Sequence, residues 1–316
     1  MIKVFLLLMW MNCMYANFEE DKRKFTIFRR DGGYEKVIQI LTNLYDSKES
    51  EKKEKEIIAK DQLILQDEPL ELINSTEMSV NRNFQDQLFE GDIVLTLNQA
   101  LSLPQLSDLD SQFNRFKRKI INNLTAMWPN GIINYDYDTY IGEHKKIFIE
   151  AAINHWSVNT CLKFRKLPVG DYLLFVEGSG CYSNVGRIGG KQEISVGKGC
   201  DGLGVIAHEI GHTLGIWHEQ SRPDRDKYIK INFDNVIPSA RNNFFKLPPK
   251  YLNAYGIIYD LGSVMHYGAK AFTRNGDLAT IETLDPNYFY TIGQRNMLSF
   301  TDIKQINAAY CSSRML

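Results

Sequence analysis

The sequence predicts an α+β fold in its C-terminal two-thirds, and three observations predict it. Short β-like segments recur between residues 131 and 196. An amphipathic helical stretch, Glu143 to Trp156, lies among them. A second helical stretch follows the last of them, from about Gly202 to Leu214. In order, Gly131 to Tyr140 alternates in its second half as a half-buried strand does. Glu143 to Trp156 has apolar residues at helical spacing, with Ile147, Ala151 and Trp156 expected among its buried positions. Its His144 and His155 read as surface or packing residues. Cys161 opens a strand over Leu162 to Leu167, and Tyr172 to Val176 and Gln192 to Val196 are two more. Phe233 to Leu247 is expected to be helical, with Pro248-Pro249 as its stop. Ser299 followed by Asp302 resembles a capping box for a last helix through Tyr310, and Cys311 comes directly after it. The sequence ends five residues later, so no appended module is expected.

Composition narrows the function classes. A net charge of −1 over 316 residues gives no reason to expect a nucleic-acid partner or attraction to an anionic membrane. Hydrophobic content of 44% and charged content of 24% are those of a globular protein. Lys3 precedes the apolar run Val4 to Met11, and the small residue Ala16 follows. This is the layout of a secretory signal peptide over residues 1–16, and the run is too short to span a bilayer. Secretion to an extracellular, oxidising compartment follows, with no membrane association once the signal is removed. Of five Cys, Cys13 then leaves with the signal. Cys161, Cys181, Cys200 and Cys311 remain and allow three pairings into two disulfides. Asn74 and Asn123 head N-glycosylation triplets, which suit secretion.

Residues 17–118 are charge-rich and lack Cys. Asp46 to Lys60 is a mixed charge run, best read as a solvated helix or flexible segment. The whole reads as a pro-region ahead of a Cys-bearing domain at 119–316. Near its end, Arg115-Phe116-Lys117-Arg118 is a dibasic R-x-K-R stretch that resembles a proprotein-convertase site, which places cleavage between Arg118 and Lys119. Phe89-Glu90-Gly91-Asp92 sets a carboxylate beside a flexible Gly, where it could reach an open metal position.

The most informative stretch is His208 to His218, H-E-I-G-H-T-L-G-I-W-H. His208 and His212, four apart, share one face of a helix and can grip a small cation together. Glu209 is rotated away from both yet stays beside them, as suits a base that works next to a metal without binding it. Gly215 ends the helix in a left-handed cap, so the chain can return His218 as a third ligand. Three His ligands leave one vertex of a tetrahedral zinc open, the mark of a catalytic rather than a structural site. Further on, Ser263-Val264-Met265-His266-Tyr267 supplies the Met-containing turn that accompanies this long motif in metzincin metalloproteases.

Over Lys119 to Cys311 the sequence resembles the astacin family of zinc endopeptidases. The resemblance is carried by H-E-I-G-H-T-L-G-I-W-H-E-Q-S-R-P-D-R-D, by Cys181 to Arg187 (C-Y-S-N-V-G-R) and by S-V-M-H-Y. The Cys181–Cys200 gap is about one residue shorter than the family's, as a loop deletion would leave it. The resemblance implies a two-lobed metzincin-type domain. Its N-terminal lobe would hold a twisted, mostly parallel five-stranded sheet and the active-site helix, and its C-terminal lobe would be less regular. It implies one Zn2+ per catalytic domain, held by His208, His212 and His218, with Glu209 as general base and acid. Tyr267 would be an additional ligand that swings to the oxyanion, and Met265 an apolar floor under the imidazoles. The disulfides would be Cys161–Cys311 and Cys181–Cys200, and the strand around Gln192 to Val196 would be the edge that pairs with an extended substrate. Asp92 would occupy the zinc of the zymogen. Cleavage would start the mature chain at Lys119, whose ammonium would meet Glu219. The function implied is a secreted, zymogen-activated endopeptidase acting on protein or peptide substrates, activated by a proprotein convertase or trypsin-like protease. The alternative is a non-catalytic secreted binding protein on the same scaffold, which would normally have lost a ligand or the base. Substrate preference would be set by loop residues, Arg241 or Arg274 among the candidates.

Overall fold

The computed structural model describes residues 36–40, 76–102, 120–121, 124–247, 252–253 and 255–311. The leader 1–16 with Cys13, the charge run 46–60, Asn74, Asn123, Arg115 to Lys119 and Pro248-Pro249 lie outside the described residues. Residues 36–40 are helical. The short helices α1 (Glu77–Val80) and α2 (Leu97–Ser102) follow, and then β1 (Ile120–Ile121).

The sheet comprises β2 (Ile132–Tyr137), β3 (Lys163–Lys166), β4 (Tyr172–Val176), β5 (Cys181–Tyr182) and β6 (Lys191–Val196), in the order β3-β2-β4-β6-β5. All neighbours run parallel except β5, which is antiparallel to β6. Parallel neighbours need a crossover, and helix α3 (Glu143–Asn159) supplies the one from β2 to β3. Helix α4 (Leu203–Thr213) packs on α3, and the buried Trp156 indole of α3 donates to the Ala207 carbonyl of α4 at 3.0 Å. Ile149, Ile153 and Trp156, Ile206 and Ile210, and Leu173 and Phe175 join the two helices and the sheet in one apolar core. Each such side chain contributes about 1.5–3 kcal/mol by leaving water.

A second core, with Phe244, Tyr259, Tyr267, Phe272 and Ile281, belongs to a C-terminal lobe. Its only regular pairings among the described residues are β7 (Ile229–Ile231) with β9 (Ile281–Thr283), and β1 with β8 (Leu252–Asn253). Helix α5 (Phe300–Ile306) then returns the chain to the first core. Its capping box is present: the Ser299 hydroxyl accepts from the Asp302 N–H, and Asp302 Oδ2 accepts from the Ser299 N–H, both at 3.0 Å. Among the described residues no helix is long and apolar enough to cross a membrane.

The disulfides are Cys161–Cys311 and Cys181–Cys200. The first ties the start of β3 to the far end of the domain across 150 residues. Closing so long a loop removes much denatured-state entropy. Replacing both Cys161 and Cys311 with Ser is expected to destabilise the protein by about 2–5 kcal/mol. A denaturant midpoint unchanged from that of the parent chain would contradict this.

Three expectations need correction. Ile147 of α3 is 67% exposed, and the buried stripe is Lys145, Ile149, Ala152, Ile153 and Trp156. The apolar run offers two helical stripes, and burial of the large Trp156 selects one; Ile147 falls on the other with exposed Val158. Phe233 to Leu247 is not an α-helix but two 3₁₀ segments, Phe233–Asn235 and Pro238–Phe244. Pro238 lacks an N–H and drives Ile237 to an extended ψ of 127°, which breaks continuity. Finally, β6 is not the sheet edge, because β5 pairs with its Ser195 and Val196. The edge is the chain from Cys181 onward.

Candidate active site

Helix α4 carries His208, Glu209 and His212, all buried. It ends as the sequence requires. Gly215 adopts φ +97°, its N–H bonds the His212 carbonyl at 2.8 Å, and the Ile216 N–H bonds the Gly211 carbonyl at 3.0 Å. This left-handed cap reverses the chain and returns His218 to the helix face, where its ring centroid is 4.8 Å from that of His212 and 5.3 Å from that of His208.

Each imidazole is oriented through Nδ1. His208 faces the Val264 carbonyl and His212 the Ile216 carbonyl, each at 2.8 Å, and His218 faces Glu90 Oε2 at 2.6 Å. Such acceptors hold the proton on Nδ1 and leave Nε2 to ligate. Asp92 lies where the three Nε2 atoms converge. Its Oδ2 is 3.1 Å from His208 and from His218, and its Oδ1 is 3.6 Å from His212. Four ligand atoms, one per residue, lie within 4.8 Å of one another. His212 Nε2 and Asp92 Oδ1 are buried without a hydrogen-bond partner among the described residues. Buried polar atoms left this way are costly unless something else binds them. Three imidazoles and a carboxylate are a donor set suited to zinc, so the residues present fit that ion.

The charges agree. Burial holds His212 down at about 4, keeping the imidazole neutral. Burial would lower His218 too, but the Asp92 and Glu90 carboxylates outweigh it and raise it to about 9. The site therefore favours positive charge there, whether proton or metal ion. Asp92 is held well below the usual carboxylate range by the imidazoles, His218 first, despite complete burial. Burial, and then the Asp92 and Glu77 carboxylates, push Glu209 well above its usual range. Glu209 Oε2 accepts from the Ser183 hydroxyl at 2.8 Å, and its Oε1 is buried with no partner among the described residues.

Asp92 is placed by a tight turn. Phe89 and Ile93 exchange both backbone hydrogen bonds, at 2.9 and 3.0 Å, around Glu90 and Gly91, which have φ +50° and +78°. At Gly91 a Cβ would come within 2.7 Å of both Met78 Sδ and Phe272 Cζ, so a larger residue would be strained by the positive φ and would have to push those side chains aside. Glu90 holds a conformation that costs a non-glycine residue about 1–3 kcal/mol. Its contacts are extensive: one carboxylate oxygen accepts from Ser221 Oγ at 2.7 Å, the other meets His218, and its carbonyl accepts from the Tyr267 hydroxyl at 2.5 Å. The Tyr267 hydroxyl is thus engaged by the backbone of the 76–102 segment. Met265 is fully buried against Gly211, where a Cβ would lie 2.9 Å from its Sδ. Glu219 Oε1 is engaged by Arg222 Nη1 at 3.1 Å and the Asp260 N–H at 2.8 Å.

The same N-terminal segment covers the sheet edge. Ser183 donates its N–H to the Asp92 carbonyl at 3.1 Å and accepts from the Val94 N–H at 2.9 Å, in a parallel bridge. The Asn81 side-chain amide imitates a strand: Oδ1 accepts from the Cys181 N–H at 2.9 Å and Nδ2 donates to the Cys181 carbonyl at 2.5 Å. Gln99 Nε2 reaches the Val185 carbonyl at 3.0 Å, and Asn184 Nδ2 reaches the Val94 carbonyl at 2.7 Å. Beside the Asp92 and imidazole cluster, Glu77 forms a buried ion pair with Arg295, whose Nε lies 2.9 and 3.0 Å from the two carboxylate oxygens. Burial alone would raise the Glu77 carboxyl; the Arg295 guanidinium brings it down to about 2. Glu77, Asn81, Glu90 and Arg295 escaped the sequence reading. Arg241 and Arg274, two candidates for setting substrate preference, are both exposed. Glu90 alone carried a signal, through its place between Phe89 and Gly91.

Residues 120–311 match the family model described as Astacin, a peptidase family. The chain is 44% identical over 242 residues to zinc metalloproteinase nas-30 of Caenorhabditis elegans, an alignment covering 76% of this chain and 32% of that protein. It is 46% identical over 242 residues to zinc metalloproteinase nas-37 of the same organism, covering 76% and 31%. It therefore spans about a third of the length of these curated relatives. Among solved structures, high choriolytic enzyme 1, a hatching enzyme zinc-protease from Oryzias latipes (medaka fish), superposes with a TM-score of 0.55 at 38% identity. That match covers 59% of this chain and 94% of the other.

Proposed function

The chain belongs to the astacin family of zinc metalloproteinases, and from that premise we propose that it is a secreted zinc endopeptidase made as a latent zymogen. Residues 1–16 are its signal peptide, 17–118 its pro-region and 119–316 its catalytic domain, released by a convertase or trypsin-like protease cutting after Arg118. Two disulfides suit an oxidising compartment. The observation that carries the reading is the convergence of Asp92 with three imidazoles beside a buried, half-satisfied Glu209.

His208, His212 and His218 would hold the zinc in both forms, and Asp92 in the zymogen alone. When bound, zinc supplies a Lewis acid that acidifies water and polarises the scissile carbonyl. Glu209, oriented by Ser183 through Oε2, uses Oε1 to take the proton of the attacking water and pass it to the leaving amine. Tyr267, freed from the Glu90 carbonyl when the pro-region leaves, donates its hydroxyl to the oxyanion that develops on the substrate. Met265, packed against Gly211, supports the helix below the ligands. The edge groups of Cys181, Ser183 and Val185, now taken by Asn81, Asp92, Val94 and Gln99, pair with an extended polypeptide. Glu219 already has a cationic partner in Arg222, so the ammonium of Lys119 joins an existing pair rather than neutralising an isolated charge.

Zinc analysis with a protease assay tests the reading. The chain cut after Arg118 is expected to hold one zinc and to hydrolyse an unfolded protein. Chelation should abolish that activity, and added zinc should restore it. A cut chain without tightly held zinc, or proteolysis indifferent to chelators, would overturn the assignment.

A further inference from the structure

Val185, Trp217 and Leu247 belong to the proposed catalytic domain and share a hydrophobic cluster with side chains that all lie before residue 118, chiefly Phe89, Leu95 and Val37. Phe89 meets the Trp217 ring edge to face at 6.0 Å between centroids. Trp217 is the residue before the ligand His218. Val185 continues the row of edge groups begun by Cys181 and Ser183, and its carbonyl accepts from Gln99. The Trp217 indole Nε1 is buried and has no hydrogen-bond partner among the described residues. An indole N–H in that position ordinarily finds an acceptor.

We propose that Trp217, with Val185 and Leu247, forms a specificity subsite of the activated enzyme that takes a bulky apolar side chain of the substrate, aromatic by preference, in the place now held by Phe89. The inference rests on the endopeptidase reading and adds a substrate class to it. Removing the pro-region uncovers an apolar wall directly beside the metal ligands. A polypeptide laid along the edge backbone presents every second side chain to the same face. One of those side chains therefore comes over Trp217. The indole N–H then meets a backbone carbonyl of the same substrate, which favours a polypeptide over a free apolar molecule.

The test uses the full chain activated by cleavage after Arg118, with peptides that carry Phe or Ala in turn at each position around the scissile bond. At one position Phe is expected to exceed Ala in kcat/KM by about tenfold or more. That ratio should fall below about threefold in Trp217→Ala and in Leu247→Ala. Leu247 is remote in sequence from the ligands, so its variant serves if Trp217→Ala fails to fold. Independently, tryptophan emission should move to longer wavelength on activation and return on binding a Phe-containing hydroxamate peptide, and Trp217→Phe should lose both changes. An unchanged Phe/Ala ratio in both alanine variants, or no emission change on activation, overturns the subsite; the latter would mean that another part of the chain or a second copy covers the wall. An activated chain that cleaves no peptide at all overturns the endopeptidase reading itself. Cleavage without any apolar preference overturns the subsite alone.

Discussion

Glu209→Gln is expected to leave the fold and the zinc in place and to remove nearly all peptide hydrolysis. Gln has the size of Glu and can still accept the Ser183 hydroxyl at the atom that replaces Oε2. Glu209 is not among the atoms that converge with Asp92, so the ligand set is untouched. What disappears is the basic Oε1. Positioned general base and acid catalysis is worth roughly 10²–10⁴-fold, and this residue would serve in both steps. The loss should appear in kcat, with zinc content and thermal midpoint close to those of the parent. Activity within about tenfold of the parent, at normal zinc content, would remove Glu209 from this role.

The active-site helix was legible because its signal is local. An i, i+4 pair of His, a Glu between them and a Gly three residues beyond the second His define a face, a neighbour and a stop, and the structure has all three. The Ser299–Asp302 cap and the strands at Tyr172 and Gln192 were legible for the same reason. Features decided by tertiary packing were not. Which stripe of α3 is buried depends on where Trp156 points, and the run of apolar residues does not say. Which strand forms the edge depends on β5 folding back antiparallel beside β6. Pro238 did carry a local warning against a continuous helix over Phe233 to Leu247. Glu77 and Asn81 are single polar residues at least 100 positions from their partners Arg295 and Cys181. No spacing rule connects them.

Asp92→Ala, placed in a chain whose Arg118 is also replaced so that it cannot be cut, is expected to show peptidase activity where the Arg118 variant alone shows none. Among the described residues, Asp92 is the one member of the proposed pro-region whose side chain enters the converging ligand atoms, and it is held there in its charged form. Losing a buried, charge-assisted contact of this kind costs about 1.5–3 kcal/mol, a roughly 10- to 100-fold rise in the population of open chains. The release should be partial. The Glu77–Arg295 pair, the Asn81 amide on Cys181 and the Glu90 contacts with His218, Ser221 and Tyr267 all remain to hold the segment on the edge. Adding Glu77→Ala should therefore raise the activity of the uncut chain further, towards that of the cut enzyme. Because Glu77 Oε1 lies 3.8 Å from the His208 Nε2 that Asp92 also faces at 3.1 Å, the two carboxylates share a partner, and their effects should depart from additivity in free energy. An Asp92→Ala chain that keeps its fold and zinc but stays as latent as its parent would show that the edge contacts suffice for inhibition, and that Asp92 is not the switch.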